Sequence, residues 1–231
     1  MIKQLLLSPQ GIVSNGLITE YKVNEGSGQV LYDYKNNKNG QLGSTAGADT
    51  NDPTWGAGYL QFDGDDYINI GNILDDVFTV ESVISTPSSG AIPLCGWTVG
   101  AAAPALYLNF GSTSRALAFL GNNTWKYFSL SHNIYDSLPH HIVFLIPGKL
   151  ATDVANFRLI IDGIEQATHS TTSTADGAEK TGLLIGMSNV NAPNGFRCYY
   201  FNIYNRVRTN QENDRMRKYI RRLMAGRGVS I

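Results

Sequence analysis

The sequence predicts an all-β protein, an antiparallel sandwich or barrel that carries one helix near its C-terminus. Many short segments alternate apolar and polar residues, and clusters of Gly, Asn, Pro or Asp separate nearly all of them. The chain is also rich in residues that suit sheets and turns, with 12 Tyr, 9 Phe, 3 Trp and 24 Gly. At 231 residues, 42% of them hydrophobic, it is long enough to form one large β-domain.

Eleven segments have the alternation of half-buried strands. The first, GLITEYKV, is predicted to place Leu17, Thr19, Tyr21 and Val23 on one face. The others lie at 58–64, 66–71, 78–85, 105–111, 116–121, 126–131, 140–146, 157–163, 182–186 and 196–205.

Two Asp-Gly pairs stand between alternating segments and predict hairpins, at Asp63-Gly64 and at Asp162-Gly163. Glycine adopts positive φ without steric cost, and aspartate tolerates turn geometry. The first pair belongs to FDGDDYINIGN, where Asp65 and Asp66 follow closely. We interpret its three carboxylates as the polar tip of a turn.

An amphipathic helix is predicted after residue 209, because apolar residues recur there at helical spacing. The stripe is formed by Met216, Tyr219, Ile220, Leu223 and Met224. Thr209 or Asn210 can cap its start and Gly226 can end it. We expect this stripe to pack on the domain.

The charges are segregated along the chain. From Arg206 onward there are eight basic and two acidic residues, whereas the first 205 residues carry a net charge of −7. An acidic body argues against nucleic-acid binding, and the basic tail is the part suited to an acidic partner. The predicted docking residues are Arg217, Arg221, Arg222 and Arg227.

Other features set limits on the class of protein. Two cysteines are too few for a disulfide framework, and apolar neighbours predict that Cys95 and Cys198 are buried free thiols. No apolar run is long enough for membrane insertion, and the N-terminus lacks the pattern of a signal peptide. We therefore expect synthesis in a cytoplasm.

The order of several motifs resembles that of laminin G-like, concanavalin A-like jelly-roll domains. The segment EYKVNEGSGQVLYDYKNNKNGQL has the E-G-S-G and G-x-L pattern of their opening, and PTWGAGYLQFDGDDYINIG has their P-x-W, F-D-G and D-Y. FTVESVIS, LPHHIVFLI, FRLIIDGIE, LLIG and FNIYNRVRTNQE match later strands in order. The resemblance implies an antiparallel β-sandwich jelly roll over residues 17–206. An N-terminal arm at 1–16 and a basic helix and tail at 207–231, which pack on the domain or on a partner, are expected on either side of it.

The resemblance also allows calcium as a cofactor, since some relatives hold one near the E-G-S-G segment. The corresponding candidate ligands are Asp33, Asn39 and Asn202. The closing strand departs from the family pattern F-x-G-x-I-D: it lacks the glycine and has Asn202 where an acidic residue is common.

Catalytic patterns are missing from the sequence. Glucanases of this superfamily carry E-x-D-x-E or E-x-D-x-x-E on one strand, and no such stretch occurs. His132, His140, His141 and His169 have no nucleophile elbow or neighbouring cysteine, and the pair at 140–141 is expected at a solvated strand end. We expect a protein that is not an enzyme.

Aromatic and amide side chains are the residue types that bind glycans, and several cluster in the middle of the chain. The predicted ligand-binding residues are Trp97, Tyr107, Asn122, Asn123, Trp125 and Tyr127. The alternative is that these rings fill the sandwich core.

The leading hypothesis is a non-catalytic recognition or adhesion module that binds a cell-surface glycan. A lectin-like domain without a signal peptide fits a bacteriophage or prophage protein, made in the host cytoplasm and displayed on the virion surface as a capsid decoration or tail fibre. The arm and the basic tail would then contact other virion subunits, or other copies of this chain. An extracellular location, a purely structural cement subunit and, less favoured, a divergent glycoside hydrolase are the alternatives.

Overall fold

The computed structural model describes residues 11–71, 77–87, 92–99, 103–112, 115–120, 124–131, 133–148, 153–172, 183–186 and 195–231. These contain seventeen strands, one short 3-10 helix at Val154–Asn156 and one α-helix, α1, at Asn210–Ala225. The strands are β1 Leu17–Tyr21, β2 Val30–Leu31, β3 Gly40–Leu42, β4 Thr54–Gly56, β5 Tyr59–Phe62, β6 Ile68–Asn69, β7 Phe78–Ser85, β8 Ile92–Val99, β9 Ala103–Ser112, β10 Arg115–Leu120, β11 Thr124–Ser129, β12 His140–Ile146, β13 Arg158–Ile161, β14 Ile164–Glu165, β15 Ala167–Thr172, β16 Leu183–Ile185 and β17 Phe196–Tyr204.

The strands form two antiparallel sheets. Sheet 1 has the order β14-β13-β12-β7-β17-β5-β4, with β1 also pairing with β17. Sheet 2 has the order β15-β11-β10-β9-β8-β16-β6-β3-β2. The predicted all-β sandwich with a single C-terminal helix is confirmed.

The main core lies between the sheets and is built around aromatic rings. Phe144 of sheet 1 faces Phe110 and Phe128 of sheet 2, with ring centroids 6.1 and 6.2 Å apart. All three rings are buried. Cys95 and Cys198 also lie in this core as free thiols, as predicted, and burial raises the pKa of both.

Helix α1 covers the outer face of sheet 1. Thr209 caps the helix: its side chain accepts the Glu212 N–H, and the Glu212 side chain accepts the Thr209 N–H. The stripe of Met216, Ile220 and Met224 is completely buried in a second apolar cluster with side chains of β1, β7 and β17. The expected packing of the helix on its own domain is confirmed. Among the described residues, no helix has the length and hydropathy to cross a membrane.

The two Asp-Gly pairs have different outcomes. Asp162 and Gly163 have φ of 52° and 84° and join β13 to β14, which pair as a hairpin. The hairpin predicted at Asp63-Gly64 is wrong, because β5 before it pairs with β17 and β4 in sheet 1, whereas β6 after it pairs with β16 and β3 in sheet 2. The turn carries the chain from one sheet to the other.

Strand β1 also differs from its predicted alternation. A bulge interrupts its pairing with β17 between Leu17 and Thr19. Leu17 therefore belongs to the cluster beneath the helix, whereas Tyr21 lies in the core between the sheets. The bulge allows Glu20 to lie beneath α1, where it is 5% exposed.

Candidate functional site

A groove of about 350 Å³ lies where the E-G-S-G loop approaches the edge of sheet 1. Its walls are the residues 26–29 of that loop and the segment at 48–49 and 52–55, which leads into β4. β4 is the last strand of sheet 1, so one side of it has no strand partner in the described part of the chain. The groove therefore combines a sheet edge with two loops.

Trp55 is the aromatic residue of this groove. Its indole Nε1 donates to the Gly28 carbonyl at 2.7 Å, and the ring packs partly on the core between the sheets. This bond joins β4 to the E-G-S-G loop across 27 residues of sequence. The half-buried ring is thus fixed in orientation rather than free to rotate.

Two polar side chains that line the groove have oxygens without a partner. Gln29 Oε1 and Asp52 Oδ1 are both buried and accept no hydrogen bond from the described residues. The other oxygen of Asp52 accepts the Asp49 N–H at 2.7 Å, which fixes the carboxylate. Buried acceptors without donors are costly, so a ligand that supplies hydroxyl donors would be stabilised here.

The acidic turn of residues 63–66 is tied to the same segment, because Asn51 Nδ2 donates to Asp65 Oδ2 at 2.7 Å. Asp63, Asp65 and Asp66 each place a carboxylate oxygen within 4.8 Å of the others. Asp66 is buried, and its Oδ2 accepts the Asp63 N–H at 2.7 Å. Burial raises the pKa of Asp66 to about 6, and the charges of Asp63 and Asp65 add to the increase. The triplet is a polar turn with one buried carboxyl group.

Asp33, the first predicted calcium ligand, has another role in the structure. Its Oδ1 accepts the N–H groups of Glu20 and Lys35, both at 2.9 Å, and its Oδ2 accepts those of Asn36 and Lys38, both at 3.0 Å. A carboxylate has about four lone-pair positions, and these bonds use all of them. Asp33 thereby holds the loop after β2 against β1.

Of the other two predicted calcium ligands, Asn39 is engaged through its side-chain oxygen, whereas Asn202 is engaged through its side-chain nitrogen and its Oδ1 has no partner among the described residues. Asn39 Oδ1 accepts the Asp33 N–H at 3.0 Å. Asn202 lies under α1, where its Nδ2 donates to Glu81 Oε2 at 2.8 Å and to the Tyr200 hydroxyl at 3.0 Å. Calcium at these three residues stays a prediction, and binding it through Asp33 would require breaking backbone hydrogen bonds.

Strand register brings some of the predicted glycan-binding residues together. Phe119 of β10 pairs with Trp125 of β11 on one side and with Tyr107 of β9 on the other. Tyr127 pairs with Leu117, two residues from Phe119 along β10. The next residue of β11, Phe128, is buried in the core, so the half-buried Tyr127 side chain lies on the opposite face of the strand.

The remaining predicted glycan-binding residues do not join this set. Trp97 of β8 pairs with Leu183 of β16. Asn122 and Asn123 lie outside the described residues. Trp55, Gln29 and Asp52 were not predicted as site residues: PTWG appeared in the sequence only as part of a fold pattern.

The four arginines predicted for docking have different surroundings. Arg221 Nε donates to the Ile231 carbonyl at 3.0 Å, and Arg227 Nη1 donates to the Tyr199 carbonyl at 3.1 Å. Arg222 is exposed. Arg217 lines a cavity beneath the helix. Docking through these residues stays a prediction.

The solvated strand end expected at His140 and His141 is wrong, because both residues are buried. His140 contacts Asp162 Oδ2 through Nδ1 at 2.7 Å and Asp136 Oδ1 through Nε2 at 3.0 Å. Burial alone would lower the pKa of His140, but these two carboxylates outweigh it and raise the pKa. His141 contacts Glu81 beneath the helix. His132 and the side chain of His169 lie outside the described part of the chain.

Comparisons with known proteins find solved structures with a similar fold, but no matching family. No family model matches the chain, and no curated protein matches it. Among solved structures, Trypanosoma rangeli sialidase in complex with sialic acid is similar over 90% of this chain and 33% of its own, with 15% identity and a TM-score of 0.62.

Two botulinum neurotoxin structures are similar as well. The serotype D binding domain matches 88% of this chain and 50% of its own, with 12% identity and a TM-score of 0.58. The type G receptor binding domain matches 89% of this chain and 51% of its own, with 14% identity and a TM-score of 0.59. The chain thus spans a third to a half of these proteins. At such low identity the likeness shows a shared all-β fold, and the assignment to laminin G-like jelly rolls stays a prediction.

Proposed function

We propose that this chain is a non-catalytic carbohydrate-recognition module that binds a saccharide in the groove at Trp55. The observation that carries the proposal is the combination, in one groove, of an indole held by Gly28 with the unpartnered acceptor oxygens of Gln29 and Asp52. Sugars present apolar C–H faces and hydroxyl donors, and this groove offers a partner to each.

The chemistry of binding follows from these contacts. A pyranose ring would lie against the Trp55 indole, which offers a large rigid surface at little cost in conformational entropy. Its hydroxyls would donate to Gln29 Oε1 and Asp52 Oδ1. The hydroxyl bond to the carboxylate is charge-assisted, and it would contribute more than the bond to the amide.

The printed names of the similar structures agree with this class of ligand. One is a sialidase in complex with sialic acid, and another is a toxin receptor binding domain. A fold of this kind is therefore compatible with glycan or receptor recognition, although fold alone does not set function. The proposed ligand class is a cell-surface glycan.

A glycan array with the complete chain tests the proposal. We expect binding to a limited set of glycans, and we expect Trp55→Ala or Asp52→Asn to weaken it at least about tenfold. Asp52→Asn retains an oxygen for the Asp49 N–H, so loss of binding without loss of stability would assign a direct contact. Trp125→Ala is the matched control for the opposite sheet.

The outcomes separate three accounts. Binding that survives Trp55→Ala but not Trp125→Ala would move the site to the face of sheet 2 with Tyr107 and Tyr127. A blank array would overturn the proposal and favour the second candidate, a structural subunit that binds no sugar. Turnover of an array glycan to a shorter product would instead make the chain a glycoside hydrolase.

For the setting of this module we retain the prediction of a phage or prophage virion surface, with other virion subunits or further copies of the chain as partners. Cofractionation of the protein with particles after lysis tests this. A protein found only outside particles would contradict it and favour an extracellular adhesin.

A further inference from the structure

A cavity of about 220 Å³ lies between α1 and the outer face of sheet 1. Its floor is formed by residues of β12 and β13, among them His141, and its roof by α1, among them Asn213 and Arg217. It has no residue in common with the groove at Trp55.

Two buried side chains of this cavity carry polar atoms that have no partner among the described residues. His141 is 2% exposed and its Nδ1 forms no hydrogen bond with the described residues. Asn213 is 7% exposed, and neither its Oδ1 nor its Nδ2 has a partner among them. They come from a strand and a helix on opposite walls, and an unpaired buried polar group destabilises the folded state.

The Glu81 carboxylate occupies one of the two ring nitrogens of His141. His141 Nε2 lies 2.8 Å from Glu81 Oε1, and Arg208 Nη1 donates to Glu81 Oε2 at 2.8 Å. Burial alone would raise the pKa of Glu81, but Arg208 and His141 outweigh it and lower the pKa to about 2. Glu81 is therefore ionised and accepts a hydrogen bond from His141 Nε2, which leaves the other ring nitrogen, Nδ1, for a ligand.

Arg158 and Arg217 both line the cavity, and they differ in their partners. Arg158 is bound by Glu165 through two bonds of 2.7 and 2.6 Å. Arg217 has no hydrogen bond or ion pair with the part of the chain that the structure describes, and it lies against Gly163, where a Cβ would overlap its guanidinium. Asp214, an exposed carboxylate of the first helical turns, is the acid on this wall.

We propose that this cavity binds a small hydroxylated carboxylate, a hydroxy acid or uronic acid. A hydroxyl group, which can donate or accept, forms a hydrogen bond with His141 Nδ1, and a second hydroxyl both donates to Asn213 Oδ1 and accepts from its Nδ2. The carboxylate pairs with Arg217, whose planar guanidinium suits bidentate binding. The repulsion from Asp214 is weak, because that side chain is exposed to solvent.

Calorimetric titration of the complete chain tests the proposal with three probes: glucuronate, glucose and acetate. We expect glucuronate to bind, glucose to bind at least about tenfold more weakly because it lacks the carboxylate, and acetate not to bind measurably. Arg217→Met, which keeps the aliphatic part of the side chain, should weaken glucuronate binding at least about tenfold. Asn213→Ala should weaken glucuronate and glucose by a similar factor.

Trp55→Ala is the control that separates this cavity from the groove, and it should leave glucuronate binding unchanged. No binding of glucuronate, or glucuronate binding that persists in both Arg217→Met and Asn213→Ala, would overturn the proposal. Equal affinities for acetate and glucuronate would also overturn it, since the hydroxyls would then contribute nothing. Loss of glucuronate binding in Trp55→Ala alone would assign the ligand to the groove.

Discussion

Arg208 and Glu81 form an ion pair that is closed to solvent: Arg208 Nη1 donates to Glu81 Oε2 at 2.8 Å, and neither side chain is exposed. The Arg208 guanidinium also lies 4.6 Å from the centre of the Tyr204 ring. The pair joins β7 to the segment before α1, and so attaches the helix to sheet 1. It stands beneath the helix in the layer that also contains His141 and Asn202.

Arg208→Met is expected to lower the free energy of unfolding by about 3–5 kcal/mol, because it leaves the Glu81 charge buried without its partner. Urea unfolding of the single variants and of the double variant Glu81→Leu/Arg208→Met measures the effect. The double variant should lose less than the sum of the single losses, since no unpaired charge remains. Additive losses would contradict a direct pair.

His140 should make stability depend on pH near neutrality. The carboxylates of Asp162 and Asp136 raise its pKa above the ordinary 6.5 in the folded chain. A raised pKa means that the stabilisation is complete below pH 6.5 and is lost as the pH rises through the folded value. His140→Gln should therefore destabilise the protein more at pH 5.5 than at pH 9, which unfolding in urea at both values would show. An equal loss at both pH values would count against the pairing.

Asp66 should show a pH dependence of the same sign at lower pH. Burial and the neighbouring carboxylates raise its pKa from 3.8 to about 6 in the folded state. The folded state therefore binds the Asp66 proton more tightly than the unfolded state does. The contribution of Asp66 to stability is greatest below pH 3.8 and falls as the pH rises to about 6. Asp66→Asn, which can keep the Asp63 N–H bond, should raise the free energy of unfolding at pH 8 relative to the parent protein and have little effect at pH 3.5.

Asp33→Ala should lower the free energy of unfolding by about 3 kcal/mol, because four backbone N–H groups lose a charged acceptor. Thermal unfolding with a chelator and then with calcium measures the loss under both conditions. We expect the same loss in each. A loss that appears only in calcium would show that Asp33 is a metal ligand and would restore the calcium prediction.

Local sequence patterns predicted much of the fold, because strands and helix caps depend on near neighbours. The stripe at Met216 and Ile220 lies on the sheet as expected, and Asp162-Gly163 forms its hairpin. The same dipeptide at Asp63-Gly64 does not, since a turn signal carries no information about which sheet the next strand joins. The sheet that the next strand joins is determined by pairing with strands distant in the sequence.

The candidate site was harder to predict, because its contacts join residues that are distant in the sequence. Trp55 reaches Gly28 across 27 residues, and Arg208 reaches Glu81 across 127, so no local spacing connects either pair. A tryptophan in sequence gives no sign of whether its ring faces a core or a groove. Strand pairing places Tyr107 and Trp125 opposite Phe119, one on each of the two flanking strands. This long-range pairing is not specified by any local sequence pattern.

The central claim is that a glycan binds against Trp55, and the three tryptophans of the chain permit a direct test. Each indole N–H gives one signal in a nitrogen-15 correlation spectrum, and replacing each tryptophan in turn assigns it. Titration with a glycan that the array identifies should shift the Trp55 Nε1–H signal and the Gln29 side-chain amide, and leave Trp97 and Trp125 in place. A shift of Trp125 with Trp55 unchanged would contradict the account and place the ligand on sheet 2.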